Sequence, residues 1–155
     1  MAATLRFGRA QSRIGPIWVA ETDLGVAACS RAESPEPMFA GLRRRFSGIE
    51  AEATAMSGAV VDSADVDLDL RGLPRFDALV YRAVAGIPRG ETLTYGEVAA
   101  AVGSPAAARA VGNAMARCPL FSAVPCHRVV RASDGWSGWG GDPILKRRLL
   151  ESERP

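Results

Sequence analysis

Two short helical runs, each opened by a cap and parted by a glycine, constrain this 155-residue chain more than any other feature. Thr94-Tyr95-Gly96-Glu97 has the spacing of a capping box, which predicts a helix starting at Tyr95. That helix should bury Val98, Ala99 and Val102 and stop at Gly103. Ser104-Pro105 then reads as an N-cap followed by proline in the first helical position, with a helix running through Ala106 to about Arg117. Two short helices joined at Gly103-Ser104 make a helix-turn-helix. The second is nearly all Ala, Gly and Val, and Arg109 is the main long side chain in its first turns. Recognition helices that read the major groove carry polar side chains. This one is suited instead to close, sequence-independent backbone contact in a minor groove, with Arg109 able to enter a base stack. On composition alone, an alanine-rich helix buried in a small core is the plainer alternative.

The first half of the chain has another texture. Leu5 and Phe7 alternate with polar neighbours, and Ile14–Ala20 and Gly25–Cys29 form a predicted hairpin across Thr22-Asp23-Leu24-Gly25. Pro35 stands near a helix start, with Met38, Phe39, Leu42 and Phe46 at helical spacing. The arginines at 43–45 read as a solvated helix end. Residues 48–65 read as a loop or a short element, and Val66, Leu68 and Leu70 alternate with aspartates as a half-buried strand. Arg71-Gly72-Leu73-Pro74 closes it, so the expected boundary divides residues 1–72 from 73–155. Beyond it, Phe76, Leu79, Val80, Ala83 and Val84 mark one face of a helix ending at Gly86. Near the C-terminus, Ser133-Asp134-Gly135 reads as a turn. Asp142-Pro143 caps a last helix that should bury Ile144, Leu145, Leu149 and Leu150, with Glu153 near its end.

Charge divides the same way. Residues 1–72 hold eight Arg against ten Asp or Glu, net −2; residues 73–155 hold eleven Lys or Arg against seven Asp or Glu, net +4. The basic half suits a polyanion partner, although ordinary surface charge would look alike. Three cysteines with no CxxC pair argue against a disulfide framework. One histidine makes a poor zinc site. No apolar run reaches the length of a membrane span, and Arg6, Arg9 and Arg13 interrupt any signal-peptide core. A cytoplasmic protein is expected.

Chemistry concentrates in Val124-Pro125-Cys126-His127-Arg128-Val129-Val130, where a cysteine adjoins the only histidine. Pro125 disfavours helix, so the stretch is expected to be extended, with Cys126 and His127 on opposite faces. One reading is a thiolate nucleophile with its base across a bend or a water. The other is a small buried cysteine beside a satisfied histidine.

The flanks bear on that choice. Ile87-Pro88-Arg89-Gly90-Glu91-Thr92, Tyr95-Gly96-Glu97-Val98-Ala99, Arg109-Ala110-Val111-Gly112-Asn113-Ala114, the cysteine stretch itself and Ser137-Gly138-Trp139-Gly140-Gly141 follow in one order. Together they resemble the O6-alkylguanine-DNA alkyltransferase family over about residues 66–153. The resemblance implies an α+β protein: a small N-terminal α/β domain, then a mostly helical C-terminal domain with a winged-helix-like helix-turn-helix. It implies direct, stoichiometric transfer of an alkyl group from O6-alkylguanine, and from O4-alkylthymine, to Cys126. Cys126, His127 and Glu153 would form a relay through water, and Tyr95 would donate to the leaving base. Arg109 would fill the gap left by a flipped nucleotide, with Ser104, Ala110, Gly112 and Arg128 also on DNA. Pro125, Val129, Ser137, Trp139 and Gly140 would line the pocket, backbone carbonyls of Cys126 and Val129 reading the base. No cofactor is implied. Some relatives hold zinc in the N-terminal domain, but only Cys29 is available there, so no metal is expected. The expected partner is duplex DNA, met in its minor groove by a monomer, with cooperative binding along DNA left open.

Two departures stand out. Relatives usually carry asparagine where this chain has Cys118, and often serine where it has Gly140. A thiol is a weaker donor and acceptor than an amide, so either a looser hinge or compensation by a neighbour is expected at Cys118. The alternative function is a non-catalytic lesion-binding relative, which the presence of Cys126 disfavours. A different thiol enzyme would not need the helix-turn-helix, and a plain regulator would need base-reading side chains.

Overall fold

In the computed structural model, which describes residues 2–56, 66–138 and 142–155, alternating residues from Ala3 to Ala10 lay down the longest strand, β1 (Ala2–Ser12). It turns at Gly15 (φ 96°) into β2 (Gly15–Thr22), which pairs antiparallel with β3 (Gly25–Ser30) across the expected hairpin. Helix α1 (Glu36–Arg45) follows, and β4 (Gly48–Ala53) returns parallel to β1, giving the order β3-β2-β1-β4. One face of the sheet is apolar, and α1 covers it. Leu5, Ala20, Ala27, Met38, Phe39, Leu42 and Phe46 are buried together there. Phe7 meets Phe39 edge-on, ring centroids 4.9 Å apart.

Two expectations in this half are corrected. Residues 66–70 form no strand; Leu68 makes a single parallel bridge to Val26. The aspartates do not all face water, because Asp69 is buried, bonded to Thr22 Oγ1 at 2.7 Å and to Arg71. Nor is the arginine triplet simply a solvated end. The Arg45 guanidinium donates to the carbonyls of Ala27, Asp69 and Arg71, satisfying backbone acceptors that lie outside any ladder. Residues 48–53 resolve as β4; the rest of the expected loop at 57–65 lies outside the described residues.

The chain divides into two compact units: Met1–Leu73 with Pro119–Ala123, and Pro74–Cys118 with Val124–Pro155. The second is built on helices α2 (Arg75–Ala85), α3 (Tyr95–Ala101), α4 (Ala108–Ala116) and α5 (Pro143–Ser152). Two very short strands, β5 (Leu93–Thr94) and β6 (Val129–Val130), pair in parallel, Leu93 with Val129 and Thr94 with Val130. The capping box is present in full: Thr94 Oγ1 accepts from the Glu97 N–H at 3.1 Å, and Glu97 Oε1 accepts from the Thr94 N–H at 3.1 Å. Helix α3 ends as expected. Gly103 takes φ 81°, and the Ser104 N–H reaches back to the Ala99 carbonyl at 2.9 Å.

Helix α4 starts later than expected. A turn closed by the Ala107 N–H on the Ser104 carbonyl intervenes, so Ala107 rather than Ser104 is the N-cap. On α2 the buried face is Asp77, Val80, Tyr81 and Val84, while Leu79 is exposed. The reason is polar: Arg117 clamps Asp77 with two bonds of 2.7 Å, and the Tyr81 hydroxyl donates to the Ala114 carbonyl at 2.8 Å. On α5, Asp142 caps the Leu145 N–H at 3.0 Å as expected, but Ile144 is exposed and Lys146 is buried in its place. Among the described residues no helix is long and apolar enough to cross a membrane.

Candidate active site and nucleic-acid interface

Pro125 does not extend the cysteine stretch; it bends it. With φ −79° and ψ 68°, it centres an inverse γ-turn closed by the Cys126 N–H on the Val124 carbonyl at 2.8 Å. A single 3-10 turn, Cys126–Arg128, follows before β6. The expectation of an extended segment is therefore corrected, and a bend, which with a bridging water was one of the two arrangements expected to serve a Cys–His pair, is present. All residues from Phe121 to Val130 are buried.

The turn presents His127 and Arg128 to the end of α5. His127 Nε2 lies 2.8 Å from Glu153 Oε1. Arg128 donates to both carboxylate oxygens, Nη2 to Oε1 at 2.7 Å and Nε to Oε2 at 3.0 Å, while its Nη1 reaches the Ile87 carbonyl at 3.0 Å. Glu153 is thus a buried carboxylate held by a forked guanidinium, the arrangement that best offsets desolvation of both charges. It also fixes the imidazole's orientation. Arg128, expected on the DNA face, is instead buried, its guanidinium taken up by Glu153 and the Ile87 carbonyl.

Cys126 is fully buried. Its hydrogen bond with the Cys118 thiol, then burial itself, push the Cys126 thiol above its ordinary range; the charge of Lys146 pulls the other way. Lys146 is a residue that sequence reasoning missed. Its ammonium donates to the Val129 carbonyl at 2.5 Å and the Ser137 carbonyl at 3.3 Å, and lies 6.0 Å from the centre of the Tyr95 ring. Burial pulls its pKa down to about 8. A signal existed: Lys146, Leu149, Leu150 and Glu153 fall at i, i+3, i+4 and i+7, one helical face.

Tyr95, the first residue of α3, is half-buried and wedged between two glycines. A Cβ on Gly112 of α4 would touch the ring at an ordinary 3.9 Å, whereas one on Gly138 would lie 2.2 Å from the Tyr95 hydroxyl oxygen. The structure therefore brings Tyr95, Lys146, the Ser137-Gly138 backbone and the Val129 carbonyl together. Val129 and Pro125 are buried, and Ser137 is half-buried. The Cys126 and Val129 carbonyls, expected to read a base, already accept from the Val129 N–H and from Lys146, leaving each one further lone pair. Arg109 is exposed in the first turn of α4; Ala110, Gly112 and Ser104 are half-buried nearby in the chain. Trp139 and Gly140 lie outside the described residues.

The second unit thus holds a helix-turn-helix and a buried cysteine followed in the same turn by a histidine paired with a glutamate, the parts of a protein with a thiol at its centre. Comparison with known proteins narrows it. Residues 75–155 match the family model for the 6-O-methylguanine DNA methyltransferase, DNA binding domain. The chain is similar to the methylated-DNA–protein-cysteine methyltransferase of Mycobacterium bovis, 46% identical over 109 residues, spanning 70% of this chain and 66% of that relative. Its fold matches the crystal structure of Mycobacterium tuberculosis OGT in complex with DNA, at TM-score 0.69 and 36% identity, covering 98% of this chain and 95% of that one. It also matches the O6-methylguanine-DNA methyltransferase of Pyrococcus kodakaraensis, at TM-score 0.67 and 25% identity, covering 96% and 98%. The chain belongs to the O6-methylguanine-DNA methyltransferase family.

Proposed function

We propose that this protein repairs alkylated DNA by moving the alkyl group of O6-alkylguanine, and of O4-alkylthymine, onto Cys126 in a single turnover. The observation that carries the reading is the 2.8 Å contact of His127 with Glu153, immediately after the cysteine in the one turn where the family motif falls. The reaction is a displacement at carbon. The Cys126 proton passes to His127 through a water that enters with the substrate, and Glu153 stabilises the imidazolium so formed. The Cys126 sulfur then forms a bond to the alkyl carbon as the bond from carbon to O6 breaks. The guanine anion that leaves takes up a proton, for which Tyr95 is the placed donor. Lys146 supplies a positive charge to both sides of this exchange, acting on the Cys126 sulfur and lying against the Tyr95 ring. The thioether is stable, so each molecule reacts once.

The lesion must leave the duplex to meet a fully buried sulfur. Small residues on α4 suit close approach to a minor groove, and exposed Arg109 suits insertion where the nucleotide was. Residues 1–72 serve as the structural domain and residues 73–155 as the DNA-binding and transfer domain, in a monomeric cytoplasmic protein. The test is mass spectrometry of the full chain after incubation with a duplex containing O6-methylguanine. A single methyl gained on Cys126, and no gain in Cys126→Ala, is expected. Lesion binding by the wild-type chain without methyl gain would instead identify a non-catalytic lesion binder.

A further inference from the structure

We infer that Asp77 and Tyr81 of α2 are positioning residues: through Arg117 and the Ala114 carbonyl they hold the C-terminal end of α4 at the angle that presents Arg109 to DNA. This role builds on the DNA contact proposed for α4. Asp77 and Tyr81 stand one turn apart on the buried face of α2. Their partners, Ala114 in the last turn of α4 and Arg117 at its C-cap, also stand about one turn apart. Two successive turns of one helix therefore grip the end of another. One contact is a fork, in which Arg117 Nε and Nη2 each donate to a separate Asp77 carboxylate oxygen at 2.7 Å. The other is the Tyr81 hydroxyl, which donates to the Ala114 carbonyl at 2.8 Å. The N–H four residues beyond that carbonyl, at Cys118, goes to the Met115 carbonyl instead, so Tyr81 supplies a donor that the helix end lacks. Asp77, Tyr81 and Ala114 are buried, and Arg117 closes over Asp77 from the surface.

One contact fixes a point; two fix a direction. At the other end of α4 the N-cap is Ala107, which has no side chain to cap with, and Arg109 is exposed in the first turn. Cys118 follows Arg117 directly, and a thiol is a weak donor and acceptor, so the polar tie at this corner falls to Arg117. From Arg117 back to Arg109 is about 12 Å of helix, so a swing of about 10° at the clamped end carries Arg109 about 2 Å. Asp77 itself is buried and anionic, and an anion opposes DNA. If charge alone mattered, removing it would tighten DNA binding. If Asp77 holds α4 in place, removing it weakens binding, and the two cases differ in sign.

The experiment compares Asp77→Asn, Arg117→Lys and Tyr81→Phe with wild type in the full chain, at a temperature where circular dichroism shows each to be folded. Anisotropy of a short fluorescein-labelled undamaged duplex reports binding, and mass spectrometry reports hydrogen exchange without DNA. Asp77→Asn should weaken binding roughly three- to tenfold although it removes a negative charge. It should also speed exchange in residues 108–117 and leave α5 at the wild-type rate. Arg117→Lys keeps the charge but loses the fork, so it should weaken binding as Asp77→Asn does; an arginine acting only as a charge on a phosphate would lose little by that change. Tyr81→Phe should speed the same exchange, and it carries the test should Asp77→Asn fail to fold. Binding by Asp77→Asn as tight as wild type or tighter would overturn the inference, as would unchanged exchange in α4. A wild-type chain that binds no duplex would instead sink the DNA contact proposed for α4, and exchange would then decide by itself whether α2 holds that helix.

Discussion

The same oxygen of Glu153 that lies 2.8 Å from His127 also accepts from Arg128 at 2.7 Å. The carboxylate that orients the imidazole is therefore itself held by a cation, and its orientation does not depend on the histidine.

Replacing Glu153 separates stability from chemistry. Glu153→Ala strands a buried guanidinium and should cost about 3–5 kcal/mol of stability. Glu153→Gln keeps the shape and loses less stability, but it no longer stabilises a charged imidazole. We expect urea denaturation midpoints to fall in the order wild type, Gln, Ala. Single-turnover alkyl transfer by Glu153→Gln should slow at least tenfold under conditions where that variant is fully folded.

Tyr95 gives a paired test from its two glycine neighbours. Gly138→Ala places a methyl 2.2 Å from the hydroxyl oxygen at a backbone φ of 112°, so the ring must move. Loss of more than 1 kcal/mol and slower transfer are expected. Gly112→Ala meets the ring at 3.9 Å in the interior of a helix. It should be neutral or stabilising by up to about 1 kcal/mol. Thermal unfolding and transfer rates on both variants check the contrast.

Lys146 should leave a mark on stability at alkaline pH. Its folded pKa of about 8 lies below the ordinary 10.5, so between these values the unfolded chain binds more protons than the native state. Stability conferred through this group is therefore lowest below about pH 8 and rises as pH climbs towards 10.5. Lys146→Met should flatten that rise in denaturation series. It should also slow alkylation of Cys126 by iodoacetamide, because a charge that favours the thiolate is gone.

In the first unit, acid should act through Asp69. Burial alone would raise its pKa, but hydrogen bonds from Arg71 and Thr22 outweigh burial and hold it at about 2. The folded value lies below the ordinary 3.8, so its contribution is present above about pH 4 and is lost as pH falls towards 2. The amount at stake is on the order of 2 kcal/mol. Asp69→Asn should lower stability at pH 7 and weaken its fall between pH 4 and 2, measured by acid titration of the melting temperature.

What was legible in the sequence was what local chemistry determines. The capping box at Thr94, the glycine stop at Gly103, the hairpin before Gly25 and the Asp142 cap each depend on a few adjacent residues. Elements decided by distant partners were harder to read. Arg128 and Lys146 belong to residue types that usually face water, and only the carbonyls and carboxylate brought to them by the fold explain their burial. Strand β4 carries almost no buried side chain, so alternation could not mark it; its pairing with β1 does. At the site, the motif resemblance pointed to Cys126, His127 and Glu153, but not to the γ-turn at Pro125, the burial of Arg128 or the placement of Lys146.

The two-rung ladder of β5 and β6 acts as a ruler. Pairing Leu93 with Val129 and Thr94 with Val130 indexes the cap of α3 against the residue that follows the 3-10 turn. A slip of one position would swap the two valines between faces and turn the Val129 carbonyl away from Lys146. Two rungs thus keep the phase between the first helix of the helix-turn-helix and the turn that carries Cys126.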